Sequence, residues 1–152
     1  MIENINKCKK VTKPWGHEIW IASDENKSKY ALKEIFINTG FKSSIQFHEV
    51  KEETNYITGG EGILLLSKEK IDIKKFKENK YNQEELNKLL SDLQQHDLKA
   101  GSVFHIKPGY IHRVISTNNL QMIEASTLDL DDVYRIKDDF SRTHGKIEDE
   151  HK

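Results

Sequence analysis

The sequence predicts an all-β fold, a sandwich or barrel, into which one α-helix is inserted. Three observations predict it: short strand-like segments recur at close spacing, glycine or asparagine turns separate them, and a helical pattern of leucines occurs once. A chain of 152 residues is long enough to bury a core of its own. We therefore expect a single domain over residues 1–152.

The predicted strands are short segments rich in apolar, β-branched and aromatic residues. They cover residues 15–21, 30–37, 43–47, 55–58, 62–67, 103–107, 112–116 and 120–126. Turn residues follow several of them, as at Asn38-Thr39-Gly40 and Pro108-Gly109. The pair Asn118-Asn119 predicts a hairpin turn between the last two strands, and Gly59-Gly60-Glu61-Gly62 predicts an earlier hairpin turn.

Residues 82–95 form the predicted helix. Four leucines lie on one helical face, at i, i+3, i+4 and i+7: Leu86, Leu89, Leu90 and Leu93. Asn82, followed by Glu85 three residues later, has the pattern of an N-terminal capping box.

Two further segments are expected outside the barrel. The lysine-rich stretch 68–80 is typical of an exposed connection, so the whole insertion covers about residues 68–98. The tail after Arg142 is polar, and we expect it to fray.

Composition excludes several classes of protein. The net charge is −1, so bulk charge predicts neither a nucleic-acid nor a membrane partner. The single cysteine, Cys8, rules out a disulfide within the chain and fits a reducing compartment. The first ten residues lack the apolar segment of a signal peptide, and the aliphatic run 63–66 is too short to span a membrane. The expected location is the cytoplasm.

Residues 43–56 place polar side chains where a core strand would normally place aliphatic ones. Gln46 and His48 lie two apart and share a strand face, Glu53 follows across a bend, and His112 lies on a separate strand. Imidazole and carboxylate are ligands of zinc, nickel and iron. The four side chains therefore suggest a metal site inside a barrel. The alternative is that the histidines are hydrogen-bonded structural residues and that Glu53 faces solvent.

Glycine spacing connects these residues to two known motifs. The first layout is Gly40, five residues, Gln46-x-His48, four residues, Glu53, six residues and Gly60. The second layout is Gly101, five residues, Lys107-x-Gly109, two residues and His112. Both layouts resemble the motifs of the cupin superfamily. The resemblance implies a cupin barrel, that is, a double-stranded β-helix or jelly roll.

Five stretches carry a finer resemblance. VTKPWGHEIW, SIQFHEVKEE, IKPGYIHRV, MIEAS and LDDVYRIKDDFSR are similar to the cupin domain of type II mannose-6-phosphate isomerases. The same domain is the C-terminal part of bifunctional mannose-1-phosphate guanylyltransferases. The similarity covers about residues 11–142, the expected barrel core. The chain departs from that family at Val50, where a second histidine is usual, and at Asn55, where tryptophan is usual.

The resemblance implies a metal-dependent sugar-phosphate isomerase that interconverts an aldose and a ketose through an enediol, in carbohydrate or surface-polysaccharide biosynthesis. It also implies a homodimer. The implied metal ligands are Gln46, His48, Glu53 and His112, with zinc as the expected ion and nickel, iron or manganese as alternatives. Glu124 and Lys33 are the candidate catalytic residues, because both can face the barrel interior. The candidate substrate-binding residues are Lys51, Tyr110 and Lys107.

Several alternatives stay open at this point. The alternative for Lys33 is an outward role as a salt-bridge partner. Arg135 and Arg142 are expected to pair with nearby aspartates and hold the C-terminal segment on the barrel. Trp15, Trp20 and Tyr110 belong either to a sugar pocket or to the core or a dimer interface. The chain has no glycine-rich phosphate loop, which excludes guanylyltransferase activity in it. A non-catalytic metal- and sugar-binding cupin, an epimerase or a dioxygenase would share the same barrel.

Overall fold

The computed structural model describes residues 1–140 and 142–145, and β-strands dominate it. The strands are β1 (Lys9–Lys13), β2 (Gly16–Ala22), β3 (Ala31–Ile37), β4 (Ile45–Phe47), β5 (Glu53–Lys70), β6 (Gln94–Lys99), β7 (Val103–Ile106), β8 (Tyr110–Ser126) and β9 (Tyr134–Lys137). The helices are α1 (Ile73–Lys77) and α2 (Gln83–Ser91), with short 3-10 turns at Ile5–Lys7 and Asp24–Asn26. The predicted all-β fold with a helical insertion is confirmed.

One curled antiparallel sheet contains all nine strands. Its main path is β1-β2-β3-β8-β4-β9, and the long strand β5 pairs with β6, β7 and β8. Strands β5 and β8 run antiparallel along almost their whole lengths, from the pair Glu53 and Ser126 to the pair Lys70 and Tyr110. The pairing of these two strands brings β5, which begins at Glu53 of the first motif, beside β8, which carries His112 of the second motif.

The two predicted hairpin turns are wrong, because each lies inside a continuous strand. Gly59–Gly62 belongs to β5 and Asn118-Asn119 belongs to β8, and the two stretches face each other where the register shifts. Gly60 has a φ of +74°, and a Cβ on it would lie 2.1 Å from the backbone oxygen of Asn119. The glycines and asparagines therefore form paired bulges that bend the ribbon, which is a second common use of the same turn residues.

Alternation along the strands places one apolar core inside the barrel. The buried side chains of this cluster are Trp15, Ile35, Ile37, Ile57, Leu64, Leu98, Phe104, Ile106, Val114, Leu120 and Met122. Strand β3 shows the pattern most clearly, since Ala31, Lys33, Ile35 and Ile37 face inward at every second residue. Trp15 thus belongs to the core, although it also borders the interior cavity.

The insertion is more ordered than predicted. Asn82 Oδ1 accepts a hydrogen bond from the Glu85 N–H at 2.8 Å, and Glu85 Oε1 accepts one from the Asn82 N–H at 3.2 Å, so the predicted capping box is present. Helix α2 ends at Ser91, not at residue 95, because residues 94–99 form β6 against β5. The stretch predicted as an exposed connection contains α1.

A second apolar cluster joins the insertion to the barrel. Its buried members are Ile45, Phe47, Ile71 and Ile111, and the partly buried residues packed on them include Ile73, Phe76, Leu89, Leu90 and Leu93. The rings of Phe47 and Phe76 meet edge to face, with centroids 5.1 Å apart. The insertion therefore covers the outer face of β4. Gln46, on the inner face of β4, and His48, just after the strand, line the cavity instead.

The C-terminal segment packs on the barrel. The guanidinium group of Arg142 makes hydrogen bonds of 2.9 and 3.0 Å to the carboxylate of Asp138, and its backbone N–H makes a third at 2.6 Å, as expected for a residue that holds the segment in place. The Gly145 N–H donates to the Val133 carbonyl at 2.8 Å. Residues 143–145 of the predicted tail are thus held by hydrogen bonds, and its other residues lie outside the described ranges.

Among the residues that the structure describes, the helices are too short and too polar to span a membrane.

Candidate metal centre and its cavity

The barrel brings together donor atoms from three of the predicted metal ligands. One donor atom each from His48, Glu53 and His112 lie within 4.8 Å of one another, and all three residues are buried. Glu53 Oε2 is 3.6 Å from His48 Nε2, and Glu53 Oε1 is 3.9 Å from His112 Nε2. Gln46 lies beside them, with its Nε2 at 3.5 Å from His112 Nε2.

Three strands of the fold position these side chains. Gln46 on β4 is the register partner of His112 on β8, which places the two side chains side by side. His48 follows directly after β4, and Glu53 is the first residue of β5. The backbone turns between His48 and Glu53, so residues that are spaced along the motif in sequence lie together in space.

Hydrogen bonds to backbone carbonyls orient both imidazole rings. His48 Nδ1 lies 2.6 Å from the Asp132 carbonyl oxygen, and His112 Nδ1 lies 3.1 Å from the Tyr110 carbonyl oxygen. Because a carbonyl only accepts, each Nδ1 carries the hydrogen, and each Nε2 of a neutral ring presents a lone pair to the cluster. His48 Nε2 is buried and has no hydrogen-bond partner among the described residues.

Electrostatics favour a neutral imidazole beside an ionised carboxylate. Burial, together with the neighbouring His48 ring, lowers the pKa of His112 to about 4, so the ring is uncharged at neutral pH. Although burial opposes ionisation, the ammonium of Lys51 lowers the pKa of Glu53 well below its usual range. Two imidazole nitrogens and a carboxylate facing one point form a donor set that suits zinc, iron, nickel or manganese.

Gln46 stands apart from the other three predicted ligands. Its Oε1 accepts a hydrogen bond from Ser44 Oγ at 2.5 Å, and it is the amide nitrogen that approaches His112. An amide nitrogen has no lone pair for a metal ion, so Gln46 joins the ligand set only if its amide turns by 180°.

A buried ion network adjoins the cluster. Lys51 Nζ lies 2.9 Å from Glu53 Oε2 and 2.9 Å from Glu124 Oε1. Although burial opposes its charge, the two carboxylates raise the pKa of Lys51 above its ordinary value, so the ammonium persists. Lys51 and Glu124 thus face the interior as a fixed ion pair next to the candidate metal ligands.

A second buried pair lies on the neighbouring strands β2 and β3, and Lys33 of this pair is the register partner of Glu124. Lys33 Nζ is 3.2 Å from Glu18 Oε1, and Trp20 Nε1 donates to the same oxygen at 2.9 Å. The outward alternative for Lys33 is therefore wrong, because its side chain is buried and lines the cavity. Although burial opposes ionisation, Lys33 and, to a smaller degree, Lys13 lower the pKa of Glu18 to about 2.

Sequence reasoning missed Glu18 and Asn55. Both lie at inward positions of alternating strands, Glu18 in the buried series of β2 and Asn55 in that of β5. That alternation was the available signal, since a polar residue at an inward position needs a partner in the interior.

The polar groups line one cavity, which holds about 810 Å³ including its open mouth. Besides His48 and His112, five carboxylate or ammonium groups belong to the interior wall: Glu18, Lys33, Lys51, Glu53 and Glu124. Three further cationic residues line the cavity, namely Lys13, Arg135 and Arg142.

Two of the predicted substrate-binding residues lie away from this cavity's lining. Lys107 is exposed and forms a 3.0 Å salt bridge with Glu52. Tyr110 contributes its carbonyl to His112. Lys51, the third predicted residue, lines the cavity and forms salt bridges with the carboxylates of Glu53 and Glu124.

Comparison with solved structures identifies the architecture. CapF from Staphylococcus aureus, a capsular polysaccharide assembling protein, superposes with a TM-score of 0.60 at 12% identity over 86% of this chain and 34% of its own. Ectoine synthase from P. lautus gives 0.62 at 9% identity over 84% and 77%. Bacillus subtilis oxalate decarboxylase, which has Mn(II) centres, gives 0.62 at 12% identity over 87% and 31%.

These likenesses confirm the cupin fold. The chain spans about a third of the length of the CapF and oxalate decarboxylase chains. No family model matches the sequence, and no curated protein matches it either. The finer resemblance to type II mannose-6-phosphate isomerases stays a prediction.

Proposed function

We propose that the protein is a metal-dependent sugar-phosphate isomerase of the mannose-6-phosphate isomerase type, acting in carbohydrate or surface-polysaccharide biosynthesis. One observation carries the proposal. The group formed by His48, Glu53 and His112 opens onto the same cavity as the buried pair of Lys51 and Glu124. An aldose–ketose isomerase needs this combination, namely charge stabilisation at two neighbouring oxygens and a base for a proton on carbon.

The metal would be held by His48, Glu53 and His112. The buried Nε2 of His48, which has no hydrogen-bond partner among the described residues, is the observation that fits such an ion. A bound divalent cation would stabilise the negative charge that develops on the substrate oxygens during the reaction.

Glu124 is the proposed base. It is 7% exposed, faces the cavity, and is held in place by the 2.9 Å contact with Lys51. In the forward direction Glu124 takes the proton from C2 of the aldose and returns it to C1, while the O2 proton is transferred to O1. Lys51 keeps a positive charge beside the carboxylate, and Lys33, the register partner of Glu124 on β3, supplies a second one.

Positive charge at the cavity supports a phosphorylated substrate. Lys13, Arg135 and Arg142 line it, and guanidinium groups suit phosphate oxygens even when they also hold a neighbouring carboxylate or carbonyl. Their place on the cavity wall favours them over Lys107 as partners of a phosphate group.

The test is incubation of the purified protein with mannose 6-phosphate in heavy water, followed by NMR. We expect one divalent ion per chain by elemental analysis, and solvent deuterium at C1 or C2 that ceases after chelation and returns with the ion. Failure to turn over a panel of hexose and heptose phosphates, with binding intact, would support a non-catalytic metal- and sugar-binding cupin instead. Oxygen consumption would indicate a dioxygenase, and turnover that survives chelation would indicate an epimerase without a metal.

The proposed assembly is a homodimer in the cytoplasm. Tyr56 and Val103 are register partners on the outer face of β5 and β7, and they are 47% and 56% exposed. Such an exposed apolar pair supports a contact between two copies. Light scattering during gel filtration should give twice the mass of 17.7 kDa, and Val103→Glu should reduce it to the monomer mass. A monomeric wild type would contradict the proposed dimer.

A further inference from the structure

Asn55 is a fully buried amide next to one candidate metal ligand, Glu53, and in register with the proposed base, Glu124. It is 0% exposed and lines the cavity. It lies two residues after Glu53 on β5, and it is the register partner of Glu124 on β8. Its side chain therefore belongs to the same part of the cavity wall as both carboxylates.

One hydrogen bond fixes which way the amide faces. Asn55 Nδ2 donates to Glu53 Oε1 at 3.3 Å. An ionised carboxylate has only acceptors, so the amide nitrogen must face Glu53 and the amide oxygen must face away from it. The orientation of Asn55 thus follows from the charge of Glu53.

The amide oxygen lacks a donor inside the protein. Asn55 Oδ1 is buried and has no hydrogen-bond partner within residues 1–140 and 142–145. The donors near the cluster are directed elsewhere: Lys51 Nζ contacts Glu53 and Glu124, and the Nδ1 atoms of His48 and His112 contact backbone carbonyls. Buried carbonyl oxygens in native proteins are nearly always paired, so a donor from a bound molecule is expected here.

We propose that Asn55 is a specificity-determining residue, whose amide oxygen accepts a hydrogen bond from a hydroxyl group of a polyhydroxylated substrate. This inference rests on the proposed function, in which the cavity binds a sugar phosphate. A ligand that lacks the hydroxyl leaves Asn55 Oδ1 buried and unpaired, and the site therefore discriminates against it.

The experiment is calorimetric titration of the metal-loaded protein with mannose 6-phosphate and with its 3-deoxy and 4-deoxy analogues. The wild type should lose about 10- to 100-fold in affinity for one of the two analogues. Asn55→Leu, which keeps the volume without the amide, should bind that analogue and mannose 6-phosphate within about 3-fold of each other. Asn55→Ala tests the same loss if leucine does not fit. Thr54→Val is the matched control, because Thr54 lies on the other face of β5 and contacts His105.

Binding separates this inference from the proposed isomerase activity. Equal binding of all three ligands by the wild type, or equal discrimination by the wild type and both Asn55 variants, overturns the role of Asn55 and leaves the isomerase proposal standing. If the wild type binds no sugar phosphate at all, the proposed function and the inference both fail.

Discussion

The backbone carbonyl oxygen of Asp132 lies 2.6 Å from Nδ1 of His48. The carboxylate of the same residue accepts hydrogen bonds from three consecutive N–H groups, those of Glu49, Val50 and Lys51, at 2.9, 2.7 and 2.9 Å. Asp132 therefore fixes both a candidate metal ligand and the turn that leads to Lys51. It belongs to the C-terminal segment, which thereby helps to shape the site.

Replacing Asp132 by Asn should weaken metal binding about 10- to 100-fold, in line with the effect of partners that orient metal-bound imidazoles. The amide would turn an N–H group toward backbone N–H groups that need an acceptor, so the turn after His48 would shift. Competition of the protein with a coloured chelator for Zn²⁺ measures the change. Asp97→Asn on exposed β6 is the control, and equal affinity of the two variants would contradict the positioning role.

Glu124→Gln should reduce turnover of mannose 6-phosphate by about 10²- to 10⁴-fold with little change in KM, because an amide cannot accept the proton from carbon. Deuterium incorporation from solvent should fall in parallel, since it follows the same proton transfer. Steady-state kinetics and NMR exchange measure both effects. Glu61→Gln, on the exposed part of β5, should behave as the wild type. A Glu124 variant with full exchange would exclude this carboxylate as the base.

The ion pair of Glu18 and Lys33 should make folding sensitive to acid. The folded pKa of Glu18 is about 2, below the ordinary value of 4.5, so its stabilising contribution is complete above pH 4.5 and disappears as the pH falls toward 2. Glu18→Gln should lower the free energy of unfolding by on the order of 3 kcal/mol at pH 7 and approach the wild type near pH 2. Urea unfolding at several pH values measures this. A constant difference across that range would contradict it, and Glu69→Gln is the exposed control.

Gly60→Ala should destabilise the fold by at least about 3 kcal/mol. The new Cβ would overlap the backbone oxygens of Asn118 and Asn119, at 2.3 and 2.1 Å, and φ is +74°. Gly101→Ala is a matched comparison, since Gly101 also has a positive φ, +96°, but nothing lies within 4 Å of its Cβ position. That variant should lose only about 1–2 kcal/mol. Similar losses in thermal or urea unfolding would show that strain, not the close approach, decides the effect.

The candidate ligand cluster could be predicted from sequence because its members are tied to strand faces and glycine spacing. Gln46 and His48 share a face for the simple reason that they lie two residues apart on an extended chain. Asp132 could not be predicted in the same way. Its role depends on a segment more than eighty residues away folding back onto the turn after β4, and nothing in its own neighbourhood signals that contact.

Other parts of the fold could not be predicted because their own residues do not indicate the structure that they form. Strands β1 and β6 are rich in lysine, glutamine and other polar residues, and they form strands because β2 and β5 offer them edges to pair with. The glycine and asparagine residues at 59–62 and 118–119 have equal preference for turns and for bulges. Only the pairing of β5 with β8 decides between these two outcomes.

The insertion that covers β4 limits which deletions related chains could tolerate. Strand β4 has only three residues, and Phe47, between two inward polar positions, is sealed from water by Phe76 and its neighbours. A shortened relative without α1 and α2 would lose the Phe76 ring that packs on Phe47, although Tyr134 of β9 would still stack on Phe47, and a smaller or more polar residue at position 47 would suit such a relative better. The insertion therefore supports β4 from outside the barrel. In related chains, we expect loss of the insertion to be accompanied by changes in the residues of β4 and of the site behind it.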